Sequence, residues 1–133
     1  MKTLHLIAII EKDDSLRNTL KEILIFHAFE VLTFRCAEDF LAQDNFGQID
    51  LILSDFNMAG MDGFQLLRLL KKQNNNTPVI LMSGSLLIQK ENVFELGAAA
   101  FMPKPFRLTD LLGQIQLCIS GSRHISSVRL KIE

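Results

Sequence analysis

The sequence lacks the glycine-rich loops with which many enzymes hold nucleotide phosphates. It contains no Walker-type run and no G-x-G-x-x-G stretch, so an enzyme acting on nucleoside triphosphates is disfavoured. No apolar run approaches the roughly 20 residues that a membrane span needs, which disfavours a membrane-crossing segment. Only two cysteines are present, and the distant positions of Cys36 and Cys118 match no metal-type or redox spacing. We therefore expect two reduced thiols and a cytoplasmic location.

An excess of charge of either sign is also missing. The 133 residues carry a formal net charge of -1, which gives no electrostatic basis for binding nucleic acid or an acidic membrane surface. The length is that of one domain, large enough to bury its own core. The apolar N-terminus, residues 1–10, superficially resembles a signal peptide, but it has no small-residue cleavage site and runs directly into charged residues. We interpret this segment as a strand.

Strand and helix patterns alternate along most of the chain. Short apolar runs predict five buried strands, at residues 4–10, 30–34, 49–53, 79–82 and 98–102. Apolar residues at helical spacing predict five helices, at residues 16–27, 37–44, 64–72, 86–96 and 108–119. We expect His27, the last residue of the first helical pattern, to be partly buried. Five strand–helix pairs with short connections predict an α/β fold with a doubly wound parallel sheet.

The end of the chain has a different pattern. We expect residues 1–120 to form the domain, because residues 120–123 have a linker-like composition. Residues 128–133 then alternate between apolar and charged side chains, which is a strand period. Residues 121–133 are therefore a linker or a C-terminal extension. They could form an extra edge strand, a contact between copies, or the start of a further segment.

Polar residues follow four of the predicted strands. Glu11 and Asp13 come after the first strand, Asp55 after the third, and Ser83 and Lys104 after the fourth and fifth. In an open parallel sheet, ligands bind beyond the carboxyl ends of the strands. Carboxylates from two strands and a backbone carbonyl are the oxygen ligands that Mg²⁺ prefers. A lysine and a hydroxyl would neutralise and orient a transferring phosphoryl group, which must come from a partner or a small donor.

Three stretches resemble the receiver domain of bacterial two-component response regulators. Residues 55–63 read D-F-N-M-A-G-M-D-G, similar to the family pattern D-x-x-M-P-x-M-D-G around the phospho-accepting aspartate. Residues 79–84 match the family's fourth strand, and residues 97–106 match the pattern G-A-x-x-[FY]-x-x-K-P-F. The resemblance covers residues 4–119 and implies the flavodoxin-like receiver fold with strand order 2-1-3-4-5. The Lys104–Pro105 peptide bond is a candidate for the cis form.

The resemblance also implies a role for each matched residue. Asp55 would accept a phosphoryl group from the histidine of a sensor kinase in an Mg²⁺-dependent reaction, and Asn57 would offer its backbone carbonyl to the ion. Ser83, 28 positions after Asp55, would hydrogen-bond the new phosphate, and Lys104, 21 positions further on, would pair with it. Phe101 would be the switch aromatic, turning inward as Ser83 moves. The spacings from Asp55 to Ser83 and from Ser83 to Lys104 are both typical of the family.

One departure from the family pattern concerns the metal. The first strand of a receiver usually ends in two adjacent acids, yet Glu11 is followed by Lys12 where the second acid, a direct Mg²⁺ ligand, belongs. This exchange changes the local charge by two units. Since one contact pair is worth roughly 1 to 4 kcal/mol at surface-like dielectric, it could lower the Mg²⁺ affinity by one to several powers of ten.

Two other interpretations of Lys12 stay open. Asp13 could replace the missing acid, because it shares the strand parity of Glu11 or because a one-residue bulge presents it. The ligand set would then be Glu11, Asp13, Asp55 and the carbonyl of Asn57. In the other interpretation, Lys12 itself pairs with Asp55 and stands in for the metal.

Three classes of function follow from this comparison. The first is a phosphorylatable receiver that switches a protein-binding face. The second, which Lys12 keeps open, is a pseudo-receiver that binds proteins or dimerises without phosphorylation. The third is a small aspartyl-phosphate hydrolase or other flavodoxin-like enzyme, disfavoured because such hydrolases need a second acid where this chain has Asn57. The family's Pro is replaced by Ala59, which predicts a looser loop.

The resemblance implies protein partners and regulation rather than substrate turnover. A sensor histidine kinase or a phosphotransfer protein would supply the phosphoryl group, and self-phosphorylation and self-dephosphorylation would be the only chemistry. A downstream protein, or an output domain outside this sequence, would receive the signal, and a second copy of the chain is a further candidate. No direct contact with nucleic acid or membrane is expected.

Overall fold

The chain folds around a five-stranded parallel sheet. The computed structural model describes residues 4–44, 46–85 and 90–121. The strands are β1 (Leu6–Ile10), β2 (Glu30–Phe34), β3 (Leu51–Asp55), β4 (Val79–Ser83) and β5 (Ala100–Pro103). They lie in the order β2-β1-β3-β4-β5, and every neighbouring pair is parallel. The predicted strand order and fold class are confirmed.

Helices connect the strands and cover both faces of the sheet. Within the described residues they are α1 (Asp14–Phe26), α2 (Ala37–Leu41), α3 (Gly63–Lys72), α4 (Lys90–Glu95) and α5 (Leu108–Ser120), with a 3₁₀ turn at Phe46–Gln48. In the part of the chain that the structure describes, no helix is long and apolar enough to cross a lipid bilayer.

Alternate residues of each strand enter two separate apolar clusters, one on each face. Ile7 and Ile9 of β1 belong to the cluster that contains buried residues of α1 and α5. Ala8 and Ile10 belong to the cluster that contains buried residues of α2 and α3. Because both faces are covered, β3 and β4 are buried at every position and are apolar except at their carboxyl ends, where Ser54, Asp55 and Ser83 lie.

The strand register brings the predicted polar residues to one edge of the sheet. Ile10 of β1 is paired with Ser54 of β3, so Glu11 lies next to Asp55 along this edge. Asp55 is paired with Met82, the residue before Ser83. Ser83 in turn is paired with Pro103, the residue before Lys104. The carboxyl ends of β1, β3, β4 and β5 therefore meet at a common crevice.

The observed elements differ from the predicted ones mainly at their ends. The second helix stops at Leu41 rather than near residue 44. The third strand includes Ser54 and Asp55. The fifth strand runs to Pro103, which an edge strand tolerates. For the fourth predicted helix, residues 86–89 lie outside the described residues, as does the strand-like pattern of residues 128–133.

The prediction that His27 is partly buried was wrong. The ring is exposed, because α1 ends at Phe26 and His27 is the residue that caps it. Its backbone N–H still bonds to carbonyl oxygens of the last turn, including that of Ile23. The chain leaves α1 at this point and turns toward β2, so the last position of the helical pattern does not reach the core.

Candidate functional site

Asp55 is the centre of the site. It is the last residue of β3 and is only 1% exposed. The following residue, Phe56, donates its N–H to the carbonyl oxygen of Met82 at 2.7 Å, which holds the end of β3 against β4. Both carboxylate oxygens of Asp55 face an ammonium group, one from Lys12 and one from Lys104. The carboxylate is therefore fixed in position and charge-balanced rather than free.

Lys104 joins the two buried carboxylates. Its Nζ lies 2.9 Å from Glu11 Oε1 and 3.4 Å from Asp55 Oδ1. The backbone N–H of Lys104 donates to the carbonyl oxygen of Ser83 at 2.8 Å, which places the side chain over the crevice. The next peptide bond, Lys104–Pro105, is cis, as the sequence predicted. Lys104 is thus held where it can balance negative charge at Asp55.

Glu11 is completely buried and uses both of its carboxylate oxygens. Oε1 accepts from Lys104, and Oε2 accepts the backbone N–H of Asp13 at 3.1 Å. Its carbonyl oxygen accepts from the guanidinium of Arg17 at 2.9 Å. Arg17 also pairs with Asp14, and this hydrogen bond and the positive charge lower the pKa of the Asp14 carboxyl. The turn after β1 is therefore held rigidly in place around Glu11.

Lys12 lies across the mouth of the site. Its Nζ donates to Asp55 Oδ2 at 2.7 Å and to the carbonyl oxygen of Asn57 at 2.6 Å. The side chain is 54% exposed. This arrangement matches the interpretation in which Lys12 pairs with Asp55. The ammonium contacts the same two groups, Asp55 and the Asn57 carbonyl, that the sequence assigned to a metal ion.

Asp13, the residue considered as a replacement for the missing acid, is used in another way. Its carboxylate accepts the backbone N–H of Leu16 at 3.0 Å and caps the first turn of α1. Among the described residues, Asp13 does not join Glu11 and Asp55 in a group of acids arranged to hold a metal ion. The structure thus assigns Asp13 a helix-capping role and does not bring it to the centre of the site.

The loop after β3 is held by a contact that the sequence did not predict. Gly60 adopts a left-handed conformation, with φ of 81°, and the next backbone N–H, from Met61, donates to Glu38 Oε2 of α2 at 2.9 Å. This hydrogen bond lowers the pKa of the Glu38 carboxyl. Asp62 then begins α3 with a reciprocal capping box. Glu38 thus restrains the loop that Ala59 was expected to loosen.

Ser83 ends β4 at the crevice, and Phe101 lies in the neighbouring strand β5. Ser83 is 2% exposed, and its hydroxyl oxygen accepts the backbone N–H of Ser85 at 3.0 Å. Phe101 of β5 is half-buried and packs on the cluster that contains α2 and α3. In the register of β4 and β5 it is paired with Leu81, two residues before Ser83.

The residues present do not fit a divalent ion in this arrangement. Lys12 occupies the space between Asp55 and the Asn57 carbonyl, and both oxygens of Glu11 already have partners. Within residues 4–44, 46–85 and 90–121, no group of three or more His, Cys, Asp or Glu side chains is arranged to hold a metal. The predicted set of four Mg²⁺ ligands is not assembled.

Comparison with known proteins identifies the family. A family model described as the response regulator receiver domain matches residues 7–116, which is most of the chain. The chain therefore belongs to the family of response regulator receiver domains. Receivers are regulatory domains of two-component systems rather than enzymes in the usual sense, and metal binding is common among them.

Curated relatives are longer proteins. Over 116 residues the chain is 34% identical to the DNA-binding transcriptional regulator NtrC of Proteus hauseri, covering 86% of this chain and 24% of that protein. It is 32% identical over 124 residues to the cell cycle transcriptional regulator CtrA of Caulobacter vibrioides, covering 92% of this chain and 54% of that protein. The chain spans about a quarter of the first relative and about half of the second.

Solved receiver domains have the same fold. A response regulator receiver domain protein from Clostridium thermocellum matches with a TM-score of 0.81 and 26% identity, covering 88% of this chain and 95% of that one. The receiver domain of HemR from Leptospira biflexa, in its non-phosphorylated form, matches with a TM-score of 0.78 and 29% identity over the same shares. These matches support the strand order found here.

Proposed function

We propose that this chain is a signal receiver in which Asp55 accepts a phosphoryl group from a histidine kinase or a phosphotransfer protein. The observation that carries the proposal is the position of the Asp55 carboxylate. It lies at the carboxyl end of a central strand, with the Lys104 ammonium 3.4 Å from Oδ1. A buried carboxylate with a fixed cation beside it is suited to act as a nucleophile toward phosphorus.

The proposed transfer exchanges one bond to phosphorus for another. An oxygen of Asp55 forms a bond to phosphorus while the bond between phosphorus and the donor's histidine nitrogen breaks. The electron pair of the broken bond returns to the imidazole ring, which takes a proton from water. The product carries up to about two negative charges on the phosphoryl group. Lys104 and Lys12, which flank the two oxygens of Asp55, would offset this added charge.

The proposed output is a change in the protein surface around β4 and β5. In the structure the Ser83 hydroxyl oxygen accepts a hydrogen bond from the Ser85 N–H at 3.0 Å. After transfer, the hydroxyl would give up this bond and donate a hydrogen bond to the phosphoryl group. Phe101, half-buried on the neighbouring strand, would turn inward as Ser83 moves. Ser83→Ala is then expected to weaken the response of the surface to phosphorylation while Asp55 still accepts the phosphoryl group.

The proposed partners follow from the family. Residues 1–120 would act as the receiver unit, and residues 121–133 as a linker or extension. Because two relatives carry names of transcriptional regulators and extend well beyond the matched region, we propose that a downstream protein or a segment outside this sequence produces the output. A homodimer is a further candidate, and the cytoplasmic location stays a prediction.

Intact-mass spectrometry tests the proposal. The purified chain is incubated with a phosphoramidate or an acyl phosphate, in Mg²⁺ and separately in EDTA. The expected result is a gain of one phosphoryl group in at least one of these conditions, absent in Asp55→Asn. Asp110→Asn, which changes an exposed carboxylate in the first turn of α5, is the matched control and should be labelled like the wild type. Labelling of Asp55→Asn would contradict the proposal.

A second function is favoured by one specific observation. The contact of 2.7 Å between Lys12 and Asp55 neutralises the acceptor in the resting protein. A receiver neutralised in this way could bind its partner without phosphorylation, as a pseudo-receiver. This function predicts no labelling under either condition and a partner affinity that is the same in the wild type and in Asp55→Asn.

A further inference from the structure

We infer that Lys12 is a built-in cation that holds the position of a divalent metal ion in this site and excludes that ion. The inference rests on the proposed function only for the location of the site at Asp55. It does not require Asp55 to accept a phosphoryl group. It explains in one step why the sequence departs from the family at position 12 and why the predicted ligand set is not assembled.

The contacts of Lys12 are those expected of a metal in this place. Its Nζ is 2.7 Å from Asp55 Oδ2 and 2.6 Å from the Asn57 carbonyl oxygen. A Mg²⁺ ion bound to these oxygens would lie about 2.0–2.1 Å from each of them. The ion and the ammonium group would therefore overlap. Mg²⁺ can enter only if Lys12 gives up both hydrogen bonds.

The charge of the site also removes the electrostatic reason to bind a divalent ion. Two carboxylates, Glu11 and Asp55, face two ammonium groups, Lys12 and Lys104. The formal charges cancel. An acid at position 12 would instead leave an excess of two negative charges, which one divalent ion neutralises. With Lys12 present, the ion would add two unbalanced positive charges beside Lys104.

Movement of Lys12 into solvent would not by itself create a metal site. Lys12 is 54% exposed and could swing outward, but the other acids of the predicted site remain committed. Glu11 bonds to Lys104 and to the Asp13 N–H. The Asp13 carboxylate caps α1 at Leu16. An entering ion would therefore find one carboxylate oxygen released by Lys12, Asp55 Oδ2, and one backbone carbonyl, because Asp55 Oδ1 still faces Lys104.

Titration with Mg²⁺, in the absence of any phosphoryl donor, tests the inference. The amide NMR signals of residues 55–57 are followed at constant ionic strength in the wild type, Lys12→Asp and Lys12→Met. The control is Lys21→Asp, which makes the same change of charge at an exposed position in the middle of α1. Urea unfolding with and without Mg²⁺ gives a second measure, because a bound ion stabilises the folded state.

The expected result is tighter Mg²⁺ binding in both Lys12 variants than in the wild type, a modest gain in Lys12→Met and the largest gain in Lys12→Asp. Lys12→Asp should bind Mg²⁺ at least about tenfold more tightly than the wild type, because two units of charge change at contact distance. Lys21→Asp should bind like the wild type. The inference is overturned if the wild type and Lys12→Asp bind with equal affinity, or if neither binds. If Lys12→Asp does not fold, Lys12→Met decides, since equal affinity of that variant and the wild type also overturns the inference.

This experiment separates the inference from the proposed function. A chain that never accepts a phosphoryl group can still show tighter Mg²⁺ binding in Lys12→Asp, which supports the inference alone. Conversely, a wild type that is labelled on Asp55 and binds Mg²⁺ as tightly as Lys12→Asp supports the function and overturns the inference.

Discussion

Removal of the Lys104 ammonium should destabilise the protein by an amount that the geometry allows us to predict. The Glu11 carboxylate is completely buried and has one cationic partner, Lys104, at 2.9 Å. Breaking a buried ion pair from one side typically costs about 3–5 kcal/mol. Lys104 is 21% exposed, so water can reach part of the pair, and we expect Lys104→Met to lower the free energy of unfolding by about 2–3 kcal/mol. Glu11→Gln alone should lower the free energy of unfolding by about 1–2 kcal/mol. The loss is smaller because Lys104 keeps its ion pair with Asp55 and can reach solvent.

Equilibrium unfolding in urea at neutral pH measures this pair. The double variant should be more stable than the sum of the single effects predicts, by about 1–2 kcal/mol, because each single change leaves the other group without its partner. Lys21→Met, at an exposed position of α1, should change the stability by less than about 0.5 kcal/mol. Additive single effects, within about 0.5 kcal/mol, would refute the reasoning.

Three further predictions concern the elements that hold the site. The hydrogen bond from the Met61 N–H lowers the pKa of Glu38 below its ordinary value of 4.5. The ionised carboxylate therefore stabilises the folded state at pH values above 4.5, and this stabilisation is lost as the pH falls through the lowered pKa. The wild type should therefore have a higher urea midpoint than Glu38→Gln at neutral pH, and the two midpoints should converge in acid. A difference in midpoint that does not depend on pH would contradict this prediction. Gly63→Ala should cost about 1–3 kcal/mol by overpacking, because its Cβ would lie 2.9 Å from the ring of Phe56, and an unchanged urea midpoint would show that the ring can move. Asp13→Ala should cost about 1 kcal/mol through loss of the α1 cap, while Asp13→Asn should cost a few tenths at most; equal losses in the two variants would exclude a capping role.

The architecture was predictable because buried parallel strands have a simple sequence pattern. The runs around Ile7, Leu53 and Leu81 are apolar at successive positions, since each strand is covered on both faces. The end of each run fixed the place of Asp55 and Lys104 at one edge of the sheet. Helix ends were less predictable: the periodic pattern included His27, although α1 stops one residue earlier and leaves the ring exposed.

The contacts of the site were predictable only in part. Periodicity places Lys12 after a strand, but the turn that directs its ammonium to Asp55 depends on Arg17 and on the buried Glu11 carboxylate. The capping role of Asp13 did have a signal, since an aspartate directly before a helical pattern favours the N-cap position. The role of Glu38 had no signal in the sequence, because its contact with Met61 joins residues 23 positions apart in different elements.

The most direct test of the central claim is to map the phosphorylated residue. The chain is treated with a phosphoramidate, the acyl phosphate is reduced with borohydride, and the digested peptides are sequenced by mass spectrometry. Phosphoryl acceptance at Asp55 predicts a reduced side chain at position 55 and at no other carboxylate, with none in Asp55→Asn. Modification at another carboxylate, or none at position 55 under any donor and metal condition, would contradict phosphoryl acceptance at Asp55.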